Sequence, residues 1–176
     1  MAAHADRYIY GMKICIVGCG ALGSVIAAHL ARLGDVEVHA YDTSEEHTRA
    51  IRESGLQISG AAEFTVKFHA TTRPEEIPAC DFGIVATKSL HTRVAIQQSA
   101  RIFGDSAAVC SVQNGLGNEE IIAEHVRYVI RGATTMAEHL DVYKRQPAYI
   151  TLKLLEAGRP GMSLRRVTPM RNSAIL

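Results

Sequence analysis

Unbroken apolar runs, rather than alternating ones, mark the central strands of this chain. Lys13-Ile14-Cys15-Ile16-Val17 reads as a strand, Phe82-Gly83-Ile84-Val85-Ala86 as a strand buried on both faces, and Ala107-Ala108-Val109-Cys110-Ser111-Val112 as another buried strand. Val36 to Tyr41 and Tyr128 to Arg131 read as further strands. Between the runs the period becomes helical. Over Ala21 to Leu33, Ala27, Ala28 and Ala31 lie among Ile26, Leu30 and Leu33, a small and aliphatic face suited to close packing on a sheet, and Gly34 is placed to end the helix. Thr43 and Glu46 have capping-box spacing and predict a polar helix to about Glu53, closed by Gly55. Leu56 to Ser59 and Phe64 to Phe68 predict short strands, and Leu90 to Ile102 and Asn118 to His125 predict helices. Strands alternating with helices define an α/β class, a Rossmann-type doubly wound parallel sheet with right-handed crossovers.

Ligands of such sheets gather outside the carboxyl ends of the strands, and the polar residues of interest fall there. The first strand leads into Gly18-Cys19-Gly20-Ala21-Leu22-Gly23, which opens the first helix. Gly18 permits a tight turn, Gly20 removes the Cβ that would hold the backbone away from a pyrophosphate, and Gly23 lets the helix lie close to the sheet. The phosphates then meet free N–H groups and the positive end of the helix dipole. Asp42 ends the second strand, 19 positions beyond Gly23, where this fold places the carboxylate that accepts from the adenosine ribose. Lys88 and Asn114 follow two of the other buried strands. A nicotinamide or flavin dinucleotide is the expected ligand.

Composition is that of an ordinary globular protein. Hydrophobic residues make up 47% and charged residues 21% of 176, with a net charge of +1. One domain is expected, with no call for nucleic acid. No stretch approaches the roughly 20 apolar residues that span a bilayer, which leaves the cytoplasm as the expected compartment. The cysteines, Cys15, Cys19, Cys80 and Cys110, lack C-x-x-C pairing, and three read as small core residues. Cys19 reads as a turn residue whose backbone matters more than its thiol. The histidines show no paired ligand spacing, so no metal site is assigned.

Charge divides the chain unevenly. Residues 1–140 hold 12 Lys and Arg against 16 Asp and Glu, whereas residues 141–176 hold 7 against 2 and contain no histidine. At the break, Asp141-Val142-Tyr143-Lys144-Arg145-Gln146 can be encoded by GAT GTG TAT AAG AGA CAG, which resembles the transposon end added to DNA during tagmentation. The expected organisation is a loose leader over 1–11, a dinucleotide-binding domain over 12–140, and a tail over 141–176 that is disordered or artefactual. The tail shows no clear period beyond a short apolar run from Ile150 to Leu155.

Three blocks give the chain a family resemblance. Met12 to Gly23, Thr87-Lys88 and Gln113-Asn114-Gly115-Leu116-Gly117 are together similar to the N-terminal domain of ketopantoate reductase (2-dehydropantoate 2-reductase), and Gly132-Ala133-Thr134-Thr135 looks like a fourth block. The resemblance covers nearly all of residues 12–140 and none of the remainder. It implies NADPH-dependent reduction of 2-dehydropantoate, a small 2-oxo acid, to (R)-pantoate in pantothenate synthesis. It further implies that Lys88 contacts the cofactor ribose region and that Asn114 holds the cofactor near its nicotinamide end. The proton-donating lysine of the family lies on a following helical domain, absent from this sequence as read, so no catalytic residue is assigned and the chain alone is expected not to turn over. Well-known members carry an arginine after the second strand for the 2′-phosphate, where this chain has Tyr41-Asp42-Thr43. Asp42 therefore favours NADH, unless Arg49 or Arg52 reaches back. Other readings are a different two-domain dehydrogenase, of the 3-hydroxyacyl or 6-phosphogluconate type, and a non-enzymatic NAD(H)-sensing module.

Overall fold

The structure, a computed structural model, describes residues 11–59, 63–134 and 150–156. In chain order the elements are β1 (Met12–Val17), α1 (Ala21–Leu33), β2 (Val36–Tyr41), α2 (Glu45–Ser54), β3 (Leu56–Ile58), β4 (Phe64–Val66), β5 (His69–Thr71), β6 (Cys80–Val85), α3 (Thr92–Ser99), β7 (Phe103–Ser111), α4 (Asn118–Ala123), β8 (Tyr128–Thr134) and β9 (Ile150–Glu156). One sheet takes the order β5-β2-β1-β6-β7-β8-β9. Every pair in it is parallel except β8 with β9. From β1 the chain winds outward through β2 to β5, then returns to β6 beside β1 and winds the other way. The crevice of this doubly wound sheet therefore opens at the carboxyl ends of β1 and β6.

Apolar runs buried on both faces supply two cores. Ile14, Ile16, Val38 and Ala40 pack on one side with Ala27 of α1 and Ile51 of α2. Cys15, Val17, Val85 and Val109 pack on the other with Ile96 of α3 and Ile122 of α4. Successive residues of β1 thus alternate between the two layers, as the period of a strand requires. All four cysteines are buried and unpaired.

Several boundaries differ from the sequence expectation, each for a local reason. The α2 cap is Ser44, not Thr43: the Asp42 carboxylate takes the Ser44 amide, and Ser44 Oγ accepts from the His47 amide. The helix expected over Leu90 to Ile102 is α3 flanked by single 3₁₀ turns at Ser89–His91 and Ala100–Ile102. The strand expected over Phe64 to Phe68 stops at Val66 and pairs with β3 in a small antiparallel ribbon outside the main sheet. The short edge strand β5, which no periodicity marks, takes the outer place beside β2. In the tail, the apolar run from Ile150 becomes β9, antiparallel to β8. Of the proposed leader over 1–11 only Gly11 is described, its amide bonded to the Asp35 carbonyl at 2.8 Å, and the proposed junction at 140/141 lies outside the described residues.

His39, on β2, is buried and bonds Glu37 through Nε2 at 2.8 Å, with His69 of β5 at 3.5 Å from its Nδ1. Burial lowers its pKa below the ordinary 6.5, against the opposing pull of Glu37. Below that ordinary value the unfolded chain binds the proton more readily than the folded one. Stability is therefore fully present above about 6.5 and falls as pH drops toward the depressed folded value. Thermal melts at pH 7.5 and 5.5 are expected to show a lower Tm at pH 5.5. His39→Gln should reduce that difference, and an undiminished difference would assign it to other groups.

Candidate functional site

The carboxyl ends of β1, β2, β6 and β7 surround a cleft of about 1060 Å³. Its walls include Gly18, Gly20, Ala21 and Leu22 from the glycine turn, Asp42 after β2, Lys88 after β6 and Asn114 after β7. Seven of the nine residues read from sequence as cofactor-binding thus meet in one crevice. The other two, Cys19 and Gly23, stand behind the turn and shape it.

The turn is built by close approaches. Gly18 has φ +92, and a Cβ there would lie 2.6 Å from Thr87 Cγ2, so the turn rests on the end of β6. A Cβ on Gly23 would overlap the Gly18 carbonyl oxygen, so helix and turn are in backbone contact. Gly20 differs: a Cβ there meets nothing within 4 Å, because this residue faces the open cleft. It is also the N-cap of α1, extended, with no side chain bonded to the helix amides. Among the described residues the amides of Gly20, Ala21 and Leu22 find no acceptor, and the first turn of α1 carries no acid. Exposed amides and an open face beside a bare residue 20 are what a diphosphate needs.

Asp42 does more than the sequence disclosed. Its Oδ2 accepts from the Cys19 amide at 2.7 Å and its Oδ1 from the Ser44 amide at 2.9 Å. The carboxylate therefore ties the glycine turn to the start of α2 while lining the cleft. Each oxygen keeps a further lone pair for a sugar diol. One consequence is that the Cys19 amide, counted from sequence among the anion-binding groups, is already committed. The Cys19 thiol is buried, and burial pushes its pKa up to about 11. Its backbone, not its thiol, is the part in use.

A second set of hydrogen bonds fixes the far wall. Gln113 Nε2 donates to the Thr87 carbonyl at 2.9 Å and to Thr92 Oγ1 at 2.7 Å, clamping the ends of β6 and β7 to α3. Thr92 Oγ1 in turn donates to Asn118 Oδ1 at 2.9 Å. The Asn114 carbonyl accepts from Ser89 Oγ at 2.7 Å and Asn118 Nδ2 at 3.2 Å, so the loop is pinned by its backbone. The Asn114 side chain makes no hydrogen bond among the described residues. Lys88 is exposed and forms no ion pair among them. Sequence reading quoted Gln113 only as part of a motif. Its clamp role depends on where β7 ends relative to Thr87 and Thr92, which no local pattern marks.

Neither Arg49 nor Arg52, the arginines that could reach back toward the end of β2, lines the cleft. Arg52 donates to the Ala70 carbonyl and pairs with Glu45, and it borders a separate depression with Thr71, Thr72 and Arg73. Arg49 is exposed on α2 and absent from the cleft walls. No described helix is long and apolar enough to cross a membrane.

Fold and cleft together define a dinucleotide-binding α/β domain, and comparison with known proteins specifies its kind. Residues 14–151 match the family described as Ketopantoate reductase PanE/ApbA, and the chain belongs to that family. The matched segment runs past Leu140. A 2-dehydropantoate 2-reductase of Pyrococcus abyssi (strain GE5 / Orsay) is 40% identical over 168 aligned residues, covering 93% of this chain and 54% of its own length. A crystal structure of a PanE/ApbA family ketopantoate reductase from Ralstonia eutropha JMP134 is 29% identical, with a TM-score of 0.66 over 72% of this chain and 42% of that one. D-mandelate dehydrogenase, solved as a ternary complex with NADH and anilino(oxo)acetate, is 27% identical, with a TM-score of 0.72 over 84% of this chain and 50% of its own. The chain spans about half the length of the curated relatives it matches.

Proposed function

We propose that this chain is the NAD(P)H-binding part of an oxidoreductase that reduces a small 2-oxo acid, 2-dehydropantoate in the first instance, to the corresponding hydroxy acid. The observation that carries the reading is the cleft at the β1/β6 switch point: bare at Gly20, lined by unpaired helix amides, and bordered beside the turn by the Asp42 carboxylate. Gly20, Ala21 and Leu22 hold the diphosphate, and Asp42 accepts from the ribose diol. Lys88 lies across the cleft and adds positive charge toward the ribose and an acidic substrate. Asn114, its carbonyl already pinned, offers its side chain to the nicotinamide end. The nicotinamide supplies the hydride; the protein orients it and stabilises the alkoxide that develops on the carbonyl oxygen. The described residues thus furnish the cofactor side of the site, and the turnover of the whole protein is part of the proposal.

NADH is the preferred cofactor on this reading. The Asp42 carboxylate repels a 2′-phosphate, and the nearby Arg52 is occupied by Ala70 and Glu45. Isothermal titration is expected to show NADH binding about tenfold or more tighter than NADPH, a difference of about 1.4 kcal/mol. Tighter NADPH binding would reverse the assignment. A protein that binds neither, yet melts cooperatively, would remove the oxidoreductase reading in favour of another use of the fold.

A further inference from the structure

The Cys19 peptide is held at both ends. Its N–H donates to Asp42 Oδ2 at 2.7 Å, and its carbonyl accepts from Ser24 Oγ at 2.7 Å. A serine hydroxyl has one proton to give, and here the carbonyl receives it. The contact between Ser24 Oγ and His47 Nε2, at 3.2 Å, is then one in which the imidazole Nε2–H donates to the hydroxyl. The Cys19 Sγ, 3.5 Å away, supplies a further donor to the same oxygen. Ser24 is buried on α1, whereas His47 is half-buried in the first turn of α2.

These bonds close into a ring. From His47 the backbone N–H returns to Ser44 Oγ at 3.3 Å, and the Ser44 N–H returns to Asp42 Oδ1 at 2.9 Å. Asp42 is therefore gripped by two amides on different elements, one in the glycine turn and one at the start of α2. The relative placement of those elements fixes which way its remaining lone pairs face. Apart from the carboxylate itself, Ser24 and His47 link the two elements on this side among the described residues.

We propose that Ser24 and His47 are positioning residues that aim the Asp42 carboxylate at the cofactor's ribose diol and so sharpen the preference for a dinucleotide with a free 2′-hydroxyl. The inference rests on the cofactor reading given above. Neither residue lines the cleft, so their effect passes through Asp42 and the Cys19 peptide. A cofactor phosphorylated at the 2′ position has no free diol there, and it gains little from an aimed carboxylate. Loss of the ring therefore weakens the two cofactors unequally, whereas simple loss of stability weakens them alike.

The test is titration of the full chain with NADH and with NADPH, alongside thermal melts. Ser24→Ala and His47→Phe are expected to weaken NADH about fivefold, the size of one lost net hydrogen bond, and NADPH much less, so that the ratio contracts. Ser24→Thr, which keeps a hydroxyl, and His47→Gln, whose amide reaches as far as Nε2, should restore the ratio. Should Ser24→Ala fail to fold, the His47 pair decides, since that side chain is only half-buried. An unchanged ratio in His47→Phe, or equal weakening of both cofactors in step with Tm, overturns the inference and leaves the cofactor reading standing. A parent protein that binds neither cofactor overturns both.

Discussion

Replacing Gly20 with valine is expected to abolish NADH binding at little cost to the fold, and replacing Gly23 with alanine is expected to weaken both binding and the fold. The two glycines lie three positions apart in one turn, yet their surroundings are opposite. Around Gly20 a Cβ meets nothing within 4 Å, and its backbone is extended with φ −69, a conformation any residue adopts. A valine there loses some N-cap preference, about 1 kcal/mol, which corresponds to a Tm decrease of about 2–4 °C in a chain of this size. Its methyl groups occupy the space in which a diphosphate would approach the amides. At Gly23 a Cβ overlaps the Gly18 carbonyl oxygen, and this backbone group cannot swing aside as a flexible side chain would. Overpacking of that kind costs about 3 kcal/mol or more, with a Tm decrease of about 8 °C or more. Melts followed by titration with NADH separate the two effects. A Gly20→Val protein that binds NADH as tightly as the parent would place the dinucleotide elsewhere.

This contrast shows what was legible in the sequence and what was not. The glycine spacing and the apolar run before it pointed to the turn, and the structure puts it at the crevice. The strands buried on both faces were equally plain, because residues 14–17 and 82–86 are apolar at every position and no single-faced element explains that. Edge elements were not legible. Three residues of β5, His69–Thr71, hold too little period to show, and their place in the sheet comes from pairing with β2 thirty positions away. Hydrogen-bond roles were hidden for the same reason. Asp42 was assigned to the ribose from its distance from Gly23. Its bond to the Ser44 amide is a local turn, but the bond to the Cys19 amide arises only when β1 and β2 lie side by side in register, with Val17 opposite Tyr41. Likewise Gln113 becomes a clamp only because β7 ends beside Thr87 and Thr92.

The proposed second role of Asp42, beyond its bonds to the Cys19 and Ser44 amides, makes its amide analogue an informative variant. Asp42→Asn keeps the shape but leaves a single acceptor oxygen where two backbone N–H groups now find one each. The NH2 end faces whichever amide is left over. The Cys19 amide is part-buried and the Ser44 amide exposed, so the oxygen turns to Cys19 and water reaches Ser44. The loss of stability then sits at the low end for an unsatisfied donor, about 1 kcal/mol. Cofactor binding responds far more. The bond to the ribose diol ceases to be charge-assisted, which roughly halves its strength, and one of the two acceptor oxygens is replaced by a donor. NADH affinity is expected to fall about tenfold, while NADPH, freed of a repelling carboxylate, binds as well as before or better. The preference is therefore erased, or inverted to the extent that NADPH binding improves, with only a small change in Tm. Should NADH bind Asp42→Asn as tightly as the parent, the carboxylate serves the turn alone, and the ribose is held by other groups in the cleft.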